Sequence, residues 1–108
     1  MQPIKQQQGD VLVRQVAELP LGLTTIPISA RGGFVLAEGE ATGHAHLLEA
    51  DGVEMFADAQ GTLWIKSIKP AQLTHEEHHA QTIAPGLYRV DRVREYDAFA
   101  EEARRVAD

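Results

Sequence analysis

The sequence predicts a mainly β fold, a small sandwich or barrel of six to eight short strands followed by a C-terminal helix. Short runs rich in β-branched and aromatic residues recur along the chain, and Gly, Pro and Asp turn signals separate them at close spacing. No long helix intervenes before residue 97, so there is nothing to make the crossovers that a parallel sheet needs.

Residues 1–8 end in the polar Gln6-Gln7-Gln8 run and read as a flexible N-terminus, with the fold beginning at Gly9. Asp10 to Val16 alternates Val11 and Val13 with polar partners, as a short strand does. Pro20, Gly22, Pro27 and Arg31-Gly32-Gly33 then punctuate a connecting stretch with room for one short strand. Phe34 to Glu40 reads as the next strand, and His44 to Glu49 follows after the Thr42-Gly43 break. Asp51-Gly52 is the strongest hairpin signal in the chain, and it predicts that Val53 to Ala57 pairs back on the preceding strand.

A turn at Asp58 to Gly61 leads into Thr62 to Ile68, whose Leu, Trp and Ile residues suit a half-buried pleated surface, with Trp64 expected in the core. Gln72 to Ile83 is ambiguous, because His75 to Ala80 suits either one helical turn or a polar strand, and the favoured reading is extended chain with an irregular middle. Pro85-Gly86 turns the chain into a last strand from Leu87 to Arg94. Phe99, Ala100, Ala103 and Val106 recur at helical spacing, so residues 97–107 are read as a helix with Asp97 as its N-cap. Glu101 and Glu102 early, with Arg104 and Arg105 late, match the helix dipole, and so short a helix needs something to dock on.

At 108 residues the chain suits one domain with a single core. Its 44% hydrophobic and 24% charged residues are ordinary for a globular protein, and no run approaches the roughly 20 apolar residues of a membrane span. No apolar leader opens the chain, which makes a cytoplasmic location the expectation. The net charge of −6 argues against a general grip on phosphate backbones, so neither nucleic acid nor membrane is an expected partner. Ser29 and Ser67 are the sole serines and cysteine is absent, which leaves little material for a nucleophilic triad and none for a thiolate metal site. No phosphate-cradling glycine motif is present, Arg31-Gly32-Gly33 being too generic, and no nucleotide cofactor is expected.

All five histidines fall in two segments, His44-Ala45-His46 and His75-Glu76-Glu77-His78-His79. On a strand, residues two apart share a face with α-carbons about 6.8 Å apart, a spacing from which two imidazoles can converge on one ion. If the second segment folds beside the first, His44 and His46 would be joined by one or two of His75, Glu77, His78 and His79. Nitrogen and oxygen ligands of that kind suit zinc, iron, manganese, nickel or copper better than calcium. Glu40, Glu49 or Glu76 could then move protons at a metal with an open position. The competing readings are a filled structural site, a pH-responsive surface of histidines among glutamates, and exposed side chains with no joint role. Arg89, Arg92 and Arg94 beside Asp91 and Glu95 read as a solvated strand face.

Gly39-Glu40-Ala41-Thr42-Gly43-His44-Ala45-His46, a later histidine and the Pro85-Gly86-Leu87-Tyr88 turn give residues 33–94 a loose resemblance to the cupin family. That resemblance implies a cupin-like jelly-roll barrel in which His44 and His46 are metal ligands, Glu49 stands for the family's glutamate, and His75, His78 or His79 supplies the third histidine. In general style the chain also resembles small bacterial and phage proteins of no assigned function, a likeness that implies none here. Two functions are therefore expected in competition. One is a metal-binding protein acting on a small molecule; the other is a homo-oligomeric interaction module, built through strand edges and the C-terminal helix, in which the histidines are incidental or sense pH.

Overall fold

The computed structural model describes residues 4–38 and 43–93. The first five strands are β1 (Lys5–Gln8), β2 (Val11–Val16), β3 (Thr24–Ile26), β4 (Gly33–Glu38) and β5 (Ala45–Glu49). The remaining five are β6 (Val53–Ala57), β7 (Leu63–Ser67), β8 (Ala71–Thr74), β9 (Gln81–Ile83) and β10 (Gly86–Arg92). They form a six-stranded sheet in the order β1-β2-β10-β7-β6-β3 and a four-stranded sheet in the order β4-β5-β8-β9. Among the described residues the strand pairings are all antiparallel.

Both sheets contribute to one core. Val11, Val13, Val53, Met55, Ile65, Tyr88 and Val90 come from the larger sheet, and Phe34, Leu36, Leu48, Ala71, Leu73 and Ile83 from the smaller, all in one buried cluster. Period-2 alternation produces this: Tyr88 and Val90 point inward while Arg89 between them is exposed, and Ala71 and Leu73 are buried while Gln72 and Thr74 are exposed. The result is sandwich-like, and among the described residues neither sheet closes into the expected barrel.

The chain crosses between sheets four times, after β3, β5, β7 and β9, and each crossing holds a Pro or Gly: Pro27, Gly52, Pro70 and Pro85. Asp51-Gly52 is therefore not the expected hairpin. Gly52 has φ +74 while no non-glycine residue among those described has positive φ. A turn with positive φ only at its third residue lacks the twist of the favoured two-residue hairpin loops, which carry positive φ at the first central residue. The turn closes locally, with Val53 N–H donating to Ala50 O at 3.0 Å, but it sends β5 and β6 into different sheets. The tight hairpin lies instead at Gly9-Asp10, where Gln8 pairs with Val11 and Gly9, at φ +57, occupies the first central position.

That hairpin also corrects the expected flexible N-terminus, because Lys5–Gln8 is β1 and its glutamines hold the sandwich edge. Gln6 Nε2 donates to Thr82 O at 3.2 Å, Gln81 Nε2 donates to Gln7 O at 2.7 Å, and Gln8 Nε2 donates to Leu73 O at 3.0 Å. Side-chain amides thus join β1 of one sheet to β8 and β9 of the other, where no backbone ladder does. With β1 present and the Gln72 to Ile83 stretch divided into β8 and β9, ten strands stand among the described residues where six to eight were expected.

Trp64 is not a core residue. It lies on the outer face of β7, half-buried, with Nε1 donating to Asp58 at 3.2 Å and the Arg89 guanidinium 5.9 Å from its ring centre. Tyr88 fills the core instead, fully buried, with its hydroxyl donating to Ala84 O at 2.7 Å. The expected break around His75 to Ala80 is present as the β8–β9 loop. The expected helix at residues 97–107 lies outside the described residues. Among the described residues no helix is long and apolar enough to cross a membrane.

Candidate metal centre

Three segments meet at one end of the sandwich: the β1–β2 turn, the start of β5, and the β8–β9 loop. Antiparallel pairing of β5 with β8 sets Leu47 opposite Thr74, so continuing beyond that pair brings His46 and then His44 toward His75 and Glu76. The Ala45 N–H donates to both Glu76 carboxylate oxygens at 3.0 and 3.2 Å and ties the loop down.

Four imidazoles gather there. The ring of His75 lies 4.3 Å from that of His46, 4.6 Å from His78 and 5.7 Å from His44, centre to centre. His44, His75 and Glu76 each offer a ligand atom, and the three atoms lie within 4.8 Å of one another. Glu77 stands behind this group, its carboxylate 2.8 Å from His44 Nδ1. A carboxylate accepts only, so Nδ1 carries the proton, as where a carboxylate orients a metal-ligating histidine. His75 differs, because its Nδ1 accepts from the Glu77 N–H at 3.0 Å.

His46 is the deepest of the four, 4% exposed at the inner end of β5. Its Nδ1 lies 2.8 Å from Gln8 Oε1 and its Nε2 3.2 Å from Asp10 Oδ1. Burial, and then the neighbouring His75, push its pKa below the ordinary histidine value, although Asp10 pulls the other way. For Asp10, burial raises the pKa, but the Arg92 guanidinium outweighs it and, with Asp10's own backbone N–H and His46, holds the carboxyl below the ordinary range. Glu76 is also held low, by its own N–H and that of Ala45 and by the fields of His44 and His75.

The structure therefore brings together His44, His46, His75, Glu76, Glu77 and His78. It does not bring in Glu49, whose carboxylate accepts from Gln72 N–H at 2.8 Å at the far end of β5. The His79 side chain is exposed, and its carbonyl accepts from Gln8 Nε2 at 2.9 Å. Glu40 lies outside the described residues. Sequence reasoning missed Gln8, Asp10 and Arg92; the signal was Gly9-Asp10, a two-residue loop between the Gln run and the Val11/Val13 alternation. Beside the cluster, Arg31, Ala45, Leu47, Thr74, His75 and Glu76 line an open cleft of about 250 Å³.

A family model described as Domain of unknown function (DUF8820) matches residues 7–93. No curated protein and no solved structure matches the chain. The matched family is not the cupin family, and the two open sheets depart from the barrel that resemblance implies.

Proposed function

Because the chain belongs to the DUF8820 family, a domain of unknown function, we propose its role from its own residues: it binds a divalent transition metal through His44, His75 and Glu76. The convergence of those three ligand atoms within 4.8 Å of one another supports this reading above any other observation. Two imidazoles and one carboxylate form the kind of set that suits zinc, iron, manganese, nickel or copper. Three protein ligands leave coordination positions open, and the adjacent cleft is sized for a small molecule of a few heavy atoms. A metal held there can polarise such a molecule or activate water, and Glu77 orients His44 for that task.

The test is elemental analysis of purified protein beside a His44→Ala, Glu76→Gln double variant. Near-stoichiometric metal that is lost in the variant is the expected result. Metal near zero in the wild type after zinc loading and dialysis would sink the reading and favour the non-enzymatic interaction module.

A further inference from the structure

Gln8 decides which nitrogen of His46 carries a proton. The Gln8 amide nitrogen donates to two carbonyls, Leu73 O at 3.0 Å and His79 O at 2.9 Å, which uses both its N–H groups and leaves Oε1 as the accepting end. His46 Nδ1, 2.8 Å from that oxygen, must therefore be the donor. A neutral imidazole protonated at Nδ1 has a lone pair on Nε2. That lone pair faces Asp10 Oδ1 at 3.2 Å.

Asp10 offers no proton in return. Its other oxygen accepts from Arg92 Nε at 3.0 Å and Nη2 at 2.6 Å, a forked contact made by the carboxylate form. Two acceptor atoms thus stand at hydrogen-bonding distance, one belonging to a side chain that is only 5% exposed. Such a pair is stable only with a cation between its members. A shared proton would serve those two atoms alone. A metal ion would serve them and could also recruit the lone pair of His78, whose ring lies 5.8 Å from that of His46.

We propose that His46 Nε2 and Asp10 Oδ1 form a second divalent-metal position beside the His44, His75 and Glu76 group, so that the folded protein holds two ions. The inference deepens the metal reading above and rests on it for the neighbouring ion. Paired ions of this kind suit displacement at an oxygen-rich substrate, where one activates the attacking oxygen and the other steadies the leaving one. Gly9 lets the β1–β2 turn approach the histidines closely: an added Cβ there would come within 2.6 Å of His78 Nε2 and 3.2 Å of the His46 ring.

The experiment loads full-length protein with zinc, dialyses it, and counts bound ions in the wild type, in Asp10→Asn, and in the His44→Ala, Glu76→Gln double variant. Two equivalents in the wild type and one in each variant are expected. One equivalent in the wild type, unchanged in Asp10→Asn and lost in the double variant, would overturn the second position and leave the first standing. One equivalent lost in Asp10→Asn and kept in the double variant would do the reverse. A readout on the wild type alone covers a variant that does not fold. The imidazole nitrogen spectrum should show the His46 Nε2 resonance displaced on zinc addition, and a doubly protonated ring that ignores zinc overturns the inference.

Discussion

The backbone N–H of Ala45 is bonded to both carboxylate oxygens of Glu76, at 3.0 and 3.2 Å, so the first residue of β5 and the loop after β8 are locked in register beyond the end of their ladder. The pairing of Leu47 with Thr74 gives only a direction of approach. The Ala45 to Glu76 contact turns that direction into a meeting of His44 with His75, and everything proposed about metal binding depends on it.

Glu77 should matter to metal affinity without being a ligand. Its carboxylate holds the His44 proton on Nδ1 at 2.8 Å, and loss of such an orienting partner weakens metal binding by about 10- to 100-fold. Competition of Glu77→Ala against a chromophoric zinc chelator should show that loss with the number of bound ions unchanged.

Metal binding should also free a backbone amide. His75 Nδ1 accepts from the Glu77 N–H, and a ring that coordinates through Nδ1 gives up that lone pair, whereas one that coordinates through Nε2 carries a proton on Nδ1. Either way the Glu77 N–H loses its acceptor. Its amide resonance should therefore shift on zinc addition while those of the Asp58 to Thr62 turn stay in place, and an unmoved Glu77 amide would argue against His75 as a ligand.

Gly9→Ala should disturb both the fold and the site. The residue sits at φ +57, where an L side chain is strained by about 1 kcal/mol or more, and the added carbon would meet His78 Nε2 at 2.6 Å. Urea unfolding should show a lowered midpoint, and His78 should change its chemical environment while core methyl signals such as those of Leu73 persist.

Asp58 predicts part of the acid sensitivity. Desolvation raises its pKa, but the Trp64 indole N–H, the Thr62 and Gln60 amides and Arg89 together hold it below the ordinary value of 3.8. A depressed carboxyl contributes stability that is complete above the ordinary value and is lost as pH falls through the lower folded one. Melting temperature should therefore fall at the acid end of the range, and Asp58→Asn should flatten that part of the curve; an unchanged slope would dismiss the assignment.

In the core, Tyr88→Phe should cost about 1 kcal/mol through loss of the hydroxyl's bond to Ala84 O, while Leu48→Ala should cost about 2–5 kcal/mol. Denaturant unfolding measures both. A near-zero cost for Leu48→Ala would contradict its place at the contact of the two sheets.

By itself the sequence determined the β class, the positions of most strands, the irregular loop from His75 to Ala80, and the restriction of imidazole chemistry to two short segments. These are readable because alternation and turn residues act over a few neighbouring positions. Only the tertiary structure decided what those pieces face. Trp64 and Tyr88 both sit in clear strands, yet alternation has two phases and says nothing of which one looks inward; packing of the second sheet put Tyr88 inside and Trp64 outside. Asp51-Gly52 promised a hairpin and became a crossing between sheets, because partner choice is settled by long-range burial as well as by the turn. Asp10 and Gln8 reached His46 in the same way, across a chain separation that no local pattern spans, since their contact exists only where two sheets close on one another.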